Sequence, residues 1–592
     1  RGGYIMSDDL KKIHPYLPKL LEQFRDGKVD RREFLRTSTL LGVSAGTAFT
    51  LAGCDDKEET AEAPAAEEPA EEEVAEAPAE EPAGEKIVRI SMRVPAIDNP
   101  ATYSWVYDSN ITRQVCDYLT RTGTDNVTRP WLLERWEASD DLKTWTLHLK
   151  QGIKWSNGDE FTADHVVWNM TRWLDESVGS SVLGLMKGYM LVEFDTGETN
   201  EDGSQKMATR LWADNAIEKV DEYTVRLNCQ EPQLAVPEHL FHYPALMLHP
   251  SENGVFGVGS IGTGAFSLTE LEVGKKAVLR RRDGYWGNPV KLDAVEFIDH
   301  GDDAAAAVQA IASQQVDGMY EAQTTQYAAL QKIEHVQVHQ VATGQTGIAR
   351  MQPMHTDMTD PANQAAAFAD PRVRKAMRLA LDTEKLLQVG HLGLGLPGEH
   401  HHVCPIHPEY AKLEFMKQDI EGAKALLAEA GYPNGFNAEI FCKADPDWEP
   451  ITVQAMAEMW KQAGANIKIS VLPSSQYWDI WNAPTAPFAF TPWTHRPLGV
   501  MVLGLAYRSN VPWNEAHWSN AEFDALLAKA EGTLDVEARR AIMVDIETLM
   551  QEVGPACQPL WRAVFTVMAK RITGFEIHPT YYLFAEEWDV TA

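Results

Sequence analysis

Alternating apolar and polar residues predict strands at several points of the chain. Residues 144–150, TWTLHLK, place Trp145, Leu147 and Leu149 on one face with polar residues between them. Because successive side chains of a strand point to opposite faces, this pattern is typical of a half-buried strand. Three further runs are also predicted to form strands: 87–94, 295–298 and 465–472.

A spacing of three to four residues between apolar positions predicts helices among these strands. In residues 161–175, Val166, Met170 and Trp173 form one apolar stripe, and Thr162 is suited to cap the helix start. Further helices are predicted around three apolar sets: Val373, Met377 and Ala380; Val453, Met456, Ala457 and Trp460; and Phe523, Leu526 and Leu527. Strands and helices alternate without a fixed-period repeat, which predicts an α/β fold.

Length and charge narrow the possible architectures and partners. With 592 residues the chain is too long for one compact unit, so we expect two large lobes and irregular ends. A formal net charge of -33 argues against nucleic acid or an anionic bilayer as the partner of the folded part. The six cysteines show no paired spacing, which argues against a disulfide framework and leaves one single bridge open.

The first residues carry the pattern of an export signal. Met6 is the first methionine, and the pair Arg31 and Arg32 is followed by about fourteen weakly apolar residues. This stretch is too short and too polar to remain as a membrane span, and it predicts a twin-arginine signal for export of a folded protein. The stretch ends in Leu-Ala-Gly-Cys54, which resembles a bacterial lipoprotein box, so we predict that Cys54 is acylated. The alternative is an amphipathic helix with a chance arginine pair and a chance cysteine.

An acidic segment follows the cysteine. Asp55, directly after Cys54, resembles an inner-membrane retention signal. Residues 55–85 hold fourteen acidic residues against one lysine, and most of the others are Ala and Pro. Because this composition has no apolar face to bury, we predict an extended tether at 55–86, which follows the signal at 1–54. The tether would keep the folded part at the periplasmic side of the inner membrane.

Five sequence blocks, taken in order, resemble one family. They are RPWLLERWEASDDLKTWTLHLKQGIKWSNGDEFTADHVVWNMTRWLD from Arg129, GTGAFSLTELEVGKKAVLRRRDGYWGNP at 262–289, DPRVRKAMRLALDTEKLL at 370–387, AKALLAEAGYPNGF at 423–436 and NAEFDALLAKA at 520–530. Together they are similar to the family 5 extracellular solute-binding proteins, the dipeptide, oligopeptide and nickel binders of bacterial ABC importers. The ordered set covers nearly all of 87–592.

This resemblance implies a periplasmic binding protein fold of the type II or cluster C kind. Two lobes would close over a ligand in the cleft between them, about a hinge. Residues 87–297 would form lobe I, with a subdomain at about 130–230, while 298–555 would form lobe II and 556–592 would return to lobe I. The resemblance also implies a monomer that passes a peptide or another small polar solute to separate ABC permease subunits, with no cofactor.

Two stretches of the second lobe supply charges to the ligand termini in peptide-binding members of this family. Here the first stretch, FCKADPDWEP, offers Asp445 and Asp447 but no arginine, and the second offers His495 and Arg496 but no aspartate. The charges are exchanged relative to dipeptide-binding members. We therefore predict that Arg496, beside His495, binds the anionic group of the ligand as a bidentate fork, and that Asp445 or Asp447 binds the cationic group. Alternatively, Arg496 pairs with a surface carboxylate and the aspartates cap a loop.

Aromatic residues cluster in the same stretches. Trp448 and Trp493 adjoin the predicted charges, Tyr507 follows them, and Tyr107 lies in an N-terminal loop that faces the cleft in this family. We predict that these four side chains contact apolar or cationic parts of the ligand.

The loop GEHHHVCPIHPEY offers an alternative function. His400, His402, Cys404 and His407 could bind nickel, zinc or copper, with His401 between them. Adjacent histidines point in different directions, however, and relatives often have a proline-rich loop here, so solute binding is the preferred interpretation.

Catalysis is not expected. The sequence contains no GxSxG, HExxH or GxxxxGK[ST] motif, although a glycosidase-like carboxylate pair remains open. A ligand-sensing lipoprotein on the same fold is the other alternative.

Overall fold

The computed structural model describes residues 14, 16–41, 43, 84–103, 105–199, 205–301 and 303–591. Cys54 and most of the predicted tether lie outside the described residues, so the predictions for them stay predictions.

Twenty-two strands alternate with helices along the described chain. They are β1 (Ile87–Ser91), β2 (Thr120–Thr122), β3 (Thr128–Pro130), β4 (Leu133–Ala138), β5 (Thr144–Leu149), β6 (Leu191–Thr199), β7 (Gln205–Leu211), β8 (Ile217–Asp221), β9 (Thr224–Asn228), β10 (Phe266–Glu272), β11 (Lys276–Arg281), β12 (Ala294–Ile298), β13 (Gly318–Met319), β14 (Val336–Met351), β15 (Gly395–Pro397), β16 (Phe436–Lys443), β17 (Ala465–Leu472), β18 (Phe488–Trp493), β19 (Ala556–Cys557), β20 (Leu560–Ala569), β21 (Ile572–Thr573) and β22 (Asp589–Val590).

The helices of the described residues range from single turns to eighteen residues. The α-helices are Leu17–Arg25, Arg31–Leu40, Val106–Thr112, Ala163–Trp173, Ser181–Met190, Val236–His239, Ala304–Ala312, Tyr327–Leu330, Pro371–Leu379, Thr383–His391, Ile420–Glu429, Trp448–Ala463, Ser474–Ile480, Gly499–Ala506, Ala521–Glu531 and Val536–Val553. Short 3-10 turns lie at Pro100–Thr102, Glu176–Val178, Pro250–Glu252, Thr324–Gln326, Ala365–Ala369 and Ala585–Glu587. None of the helices in the described ranges is long and apolar enough to cross a membrane.

One mixed sheet of twelve strands runs through the molecule. Its order is β10-β11-β12-β1-β13-β20-β14-β18-β16-β17, with β15 beside β20 and β19 beside β14. β1 pairs in parallel with β12 and β13, whereas the long β14 pairs antiparallel with β18 and β20. β20 is buried along its whole length, as expected for a strand in the middle of a sheet that is covered on both faces. The C-terminal segment therefore joins the early strands to the later ones.

The predicted α/β class and its local elements are confirmed. β17 and β5 occupy the predicted runs, and the helix Ala163–Trp173 begins directly after Thr162, whose N–H donates to His165 Nδ1 at 3.0 Å. β1 ends at Ser91, three residues earlier than its alternation suggests, because the chain then turns into the loop that leads to the cleft.

Two large apolar cores lie on this sheet. The larger one includes Ile90, Trp145 and Phe297, and the second lies around β16 and includes Val453 and Trp460. The five cysteines of the described residues are buried and free: Cys116, Cys229, Cys404, Cys442 and Cys557.

Candidate ligand-binding site

Two cavities meet at a pair of neighbouring tryptophans whose rings are tilted relative to each other. Trp105, from the loop after β1, and Trp478, from the helix Ser474–Ile480, line both cavities, and their ring centroids are 5.7 Å apart. The first cavity, which we call the acidic chamber, measures about 120 Å³, and the second, the tryptophan chamber, about 20 Å³. Since small-molecule sites span roughly 300–1,000 Å³, a solute larger than a few atoms requires the two tryptophans to move.

The acidic chamber carries more carboxylates than cations on its wall. Its ionisable lining residues are Arg93, Tyr107, Asp299, His300, Asp303, Tyr320, Glu321, Lys443 and Asp445. Asp445 Oδ2 accepts from Arg93 Nη2 at 2.8 Å, and its Oδ1 accepts from Gln323 Nε2 at 2.6 Å. Burial raises the pKa of the Tyr107 hydroxyl, which therefore acts as a neutral hydrogen-bonding group.

A buried acid lies directly behind this chamber. Glu449 Oε1 accepts from Lys443 Nζ at 2.5 Å, while Glu449 Oε2 has no hydrogen-bond partner among the described residues. Burial raises the pKa of Glu449 to about 7, although the adjacent Lys443 acts in the opposite direction. Lys443, which lines the chamber, therefore has behind it an acid that burial shifts toward its protonated form.

Aromatic rings enclose the tryptophan chamber. The centroid distances are 5.9 Å between Trp478 and Trp481, 6.3 Å between Trp481 and Trp513, and 5.9 Å between Trp493 and Trp513. Trp493 is held in place because its Nε1–H donates to Glu515 Oε1 at 2.8 Å. Such a wall is suited to flat or apolar groups.

Arg496 is the cation of the tryptophan chamber. Its side chain is only 4% exposed, and its guanidinium lies 5.3 Å from the ring of Tyr243. Its Nη1 donates to the hydroxyl and carbonyl oxygens of Thr494 and to the carbonyl of His495, which are all uncharged. Its Nε has no hydrogen-bond partner, and no Asp or Glu pairs with it in the described part of the chain. A buried cation of this kind fits an anionic ligand group.

Four of the eight predicted ligand residues lie on the walls of the two chambers. Arg496 and Trp493 line the tryptophan chamber, and Asp445 and Tyr107 line the acidic chamber. The alternative that Arg496 pairs with a surface carboxylate does not match its buried position.

The other four predicted residues lie outside both chambers. Asp447 accepts from the Thr324 hydroxyl, and Trp448 is 1% exposed beneath the Arg562 guanidinium. His495 accepts from Gly344 N at 3.0 Å, and the Tyr507 hydroxyl bonds to His402 Nδ1 at 2.9 Å. These side chains support the cleft from behind in this structure.

Several wall residues were not predicted. Arg93 stands two positions after β1, within the run predicted as a strand, and Lys443 stands two positions before Asp445, so both were close to predicted features of the sequence. Glu321 and Gln323 follow the two-residue strand β13, which carries no recognisable pattern. Only the tertiary fold brings these segments together.

The histidine loop is engaged in other contacts. His400 Nδ1 accepts from Gln558 N at 3.0 Å, and His407 Nδ1 accepts from Cys404 N at 3.0 Å. Burial lowers the pKa of His400 to about 3 and that of His407 to about 4. Over the described ranges, no group of three His, Cys, Asp or Glu side chains is placed to hold a metal ion. No observation therefore favours the metal alternative.

Sequence comparisons place the chain among bacterial binding proteins. Residues 127–512 match the sequence model of the bacterial extracellular solute-binding proteins, family 5 Middle. The periplasmic oligopeptide-binding protein OppA of Haemophilus influenzae is 26% identical over 479 residues, which cover 77% of this chain and 84% of that protein. The dipeptide-binding protein DppE of Bacillus subtilis is 23% identical over 575 residues, which cover 92% and 97%.

Solved structures share the fold. The murein tripeptide binding protein MppA of Escherichia coli has a TM-score of 0.73 at 20% identity, covering 86% of this chain and 99% of that one. AgaA from A. tumefaciens R10, in complex with agropinic acid, has a TM-score of 0.72 at 21% identity with the same coverage. These similarities confirm the predicted two-lobed periplasmic binding protein fold. Because the family match spans more than half of the sequence, the chain belongs to the bacterial extracellular solute-binding proteins of family 5.

Proposed function

We propose that this chain is the substrate-binding subunit of an ABC importer, and that it captures a short peptide or a similar zwitterionic solute without changing it chemically. The observation that carries the proposal is Arg496, a buried guanidinium that faces an aromatic chamber without a carboxylate partner in the described chain. The oligopeptide and dipeptide named for two relatives support peptide as the first choice of ligand.

The arrangement of charges suggests how such a solute lies in the cleft. Its carboxylate would accept two hydrogen bonds from Arg496, and the apolar group nearest to it would pack among Trp481, Trp493 and Trp513. Its ammonium group would point toward the acidic chamber, where Asp445 already accepts from Arg93. Movement of Trp105 and Trp478 would join the chambers into one cleft.

Binding of one tripeptide in three chemical forms tests this proposal. Titration calorimetry would use Ala-Ala-Phe, its C-terminal amide and its N-acetyl derivative, after mass spectrometry of any small molecule that co-purifies. We expect the free peptide to bind most tightly and the amide to lose the most affinity, because the amide removes the partner of Arg496. Equal affinity of the peptide and its amide would contradict the carboxylate site. A co-purified solute without a carboxylate or another anion would also contradict it.

We also propose that the protein is exported by the twin-arginine route and held at the inner membrane by a lipid on Cys54. The support is the sequence alone: Arg31 and Arg32, the weakly apolar stretch and the lipobox-like ending. A chain with both arginines changed to lysine should remain in the cytoplasm, and Cys54→Ser should abolish labelling with radioactive palmitate. Unchanged export in the first variant, or labelling in the second, would contradict the respective step.

A further inference from the structure

The N-terminal segment 16–41 folds against the body as two packed helices. The ring of Phe24 in the first helix stacks on that of Phe34 in the second, with centroids 4.6 Å apart. Leu20 and Leu35 are buried in the same apolar cluster, which also includes Val127 of the body. The segment therefore has a defined docking surface on the folded part.

A buried charge network crosses this surface. Arg36 Nε donates to Glu33 Oε2 at 2.7 Å, and Arg36 Nη1 lies 3.3 Å from Glu238 Oε1. Glu33 Oε1 also accepts from Arg539 Nη2 at 3.1 Å. All four side chains are at most 2% exposed. Although burial acts to raise the pKa of Glu33, Arg36 and Arg539 keep it below its usual value. Loss of any one partner would leave a buried charge uncompensated.

The body residues of the docking surface come from two distant parts of the chain. On one side, Trp136 Nε1 donates to the Leu40 carbonyl at 2.8 Å, and Glu238 pairs with Arg36. These two body residues lie within 87–297, the proposed lobe I.

On the other side, Asp535 Oδ2 accepts from Gln23 Nε2 at 3.2 Å, and Arg540 Nη1 donates to the Lys28 carbonyl at 3.0 Å. Arg539 and Val536 belong to the same helix, Val536–Val553, within the proposed lobe II. The segment thus contacts both sides of the proposed lobe boundary.

We propose that in the precursor, before Cys54 becomes the new N-terminus, residues 16–41 act as a clasp that holds the two lobes together and restricts opening of the cleft. Movement of Glu238 away from Arg539 would break either the Arg36–Glu238 or the Glu33–Arg539 contact, because Glu33 and Arg36 lie one turn apart on the same helix. The clasp rests on the proposed division into lobes and is independent of which solute binds.

Two arginines of the docked helix provide a matched pair of variants. Arg36 is buried in the network, whereas Arg32, four residues earlier, is exposed. Arg36→Ala should release the segment, and Phe34→Asp should do so independently by placing a carboxylate in the apolar cluster. Arg32→Ala is the control for loss of positive charge.

Lobe separation can be measured without any solute. In the full chain carrying Cys54→Ser, donor and acceptor dyes would be attached at Lys275→Cys and Lys468→Cys. The two lysines are 68% and 71% exposed, and they lie near opposite ends of the sheet order. Single-molecule energy transfer then reports the interlobe distance, and hydrogen exchange of the amides of 33–40 reports docking. Near-ultraviolet circular dichroism shows which variants remain folded.

We expect protected amides and one narrow distance distribution in the parent chain and in Arg32→Ala. In each folded release variant we expect rapid exchange at 33–40 and a broader distribution that extends to longer distances. An unchanged distribution after release would overturn the clasp, as would opening of Arg32→Ala to the same extent. If neither release variant folds, the parent chain alone still tests the clasp. Unprotected amides at 33–40 would overturn the clasp, whereas protected amides together with a narrow distribution of interlobe distances would support it. None of these outcomes depends on solute capture, which the peptide titrations test separately.

Discussion

Replacing Arg496 by methionine separates a ligand-binding arginine from a structural one. Methionine keeps a similar length but removes the charge. Without bound solute, the guanidinium is buried with only uncharged hydrogen-bond acceptors. Its removal relieves an unpaired charge, while the acceptors lose hydrogen bonds worth about 1 kcal/mol each. We therefore expect the free energy of unfolding to stay within about 1 kcal/mol of the parent value, or to rise.

In Arg496→Met, the affinity for solute should change far more than the free energy of unfolding does. Truncating one partner of a buried, hydrogen-bonded charge pair costs about 2–5 kcal/mol, which corresponds to roughly 30- to 5,000-fold in affinity. Calorimetry with Ala-Ala-Phe and with its C-terminal amide forms a double-mutant cycle. The parent chain should prefer the free acid over the amide by a similar factor. Arg496→Met should bind the free acid and the amide with similar, low affinity.

Arg350 provides the matched control. It is also buried, at 1% exposure, but its Nε donates to Glu515 Oε2 at 3.2 Å. Arg350→Met leaves Glu515 as an uncompensated buried acid and should lower the free energy of unfolding by about 3–5 kcal/mol. Urea denaturation measures both variants. If Arg496→Met loses as much stability as Arg350→Met and keeps the preference for the free acid, the assignment of Arg496 to the ligand is wrong.

Three other predictions concern the remaining ionisable groups. The pKa of Glu449 is raised to about 7 in the folded state, so the folded state holds a proton that the unfolded chain releases at lower pH. Stability should therefore fall as the pH rises from about 4.5 to about 7, by at most about 3 kcal/mol, and the slope should flatten in Glu449→Gln; an equal slope in both chains would refute this. Burial raises the pKa of the thiols of Cys116, Cys229, Cys404, Cys442 and Cys557, so iodoacetamide should modify none of them in the native protein and all of them in urea, as read by mass spectrometry. Nickel titration should show no stoichiometric nickel site at His402, because His402 Nδ1 is bonded to the Tyr507 hydroxyl. A nickel site that is present in the parent chain and lost in His402→Ala would support the metal alternative.

Sequence patterns predicted the elements well because their causes are local. The helix after Thr162 and the strand β17 follow from spacing, capping and alternation within about ten residues. Burial of an individual tryptophan has no such local signal. Trp448 and Trp493 stand in similar aromatic stretches, yet Trp448 packs in the core against Phe490 and Trp493 lines a chamber. The difference arises from strand pairing and helix packing over the whole lobe.

Long-range partners explain what the sequence left undetermined at the N-terminus. Residues 30–40 were interpreted as part of an export signal, with an amphipathic helix as the alternative, and the segment alone does not indicate which body residues it packs against. The helix is stabilised by Glu238 and Arg539, which lie 202 and 506 positions away from their partners. An export signal and a docked helix are compatible, because Arg31 and Arg32 lie on the exposed side of the helix while Phe34 and Arg36 are buried.

The unpaired guanidinium also gives a physical reason for selective closure of the cleft. In the closed cleft the buried Arg496 has only the uncharged acceptors of its chain neighbours Thr494 and His495, so closure that removes water from it without a counter-charge would be unfavourable. On the proposed assignment, a solute carboxylate would supply the missing counter-charge, so it would bind the closed state more tightly than the open one and shift the population toward closure. An uncharged solute of the same shape would leave this cost in place, and the cleft would discriminate against it even if its apolar contacts were equal. Selectivity for an anionic group would then come from the energy of closing around it as well as from the contacts that it makes.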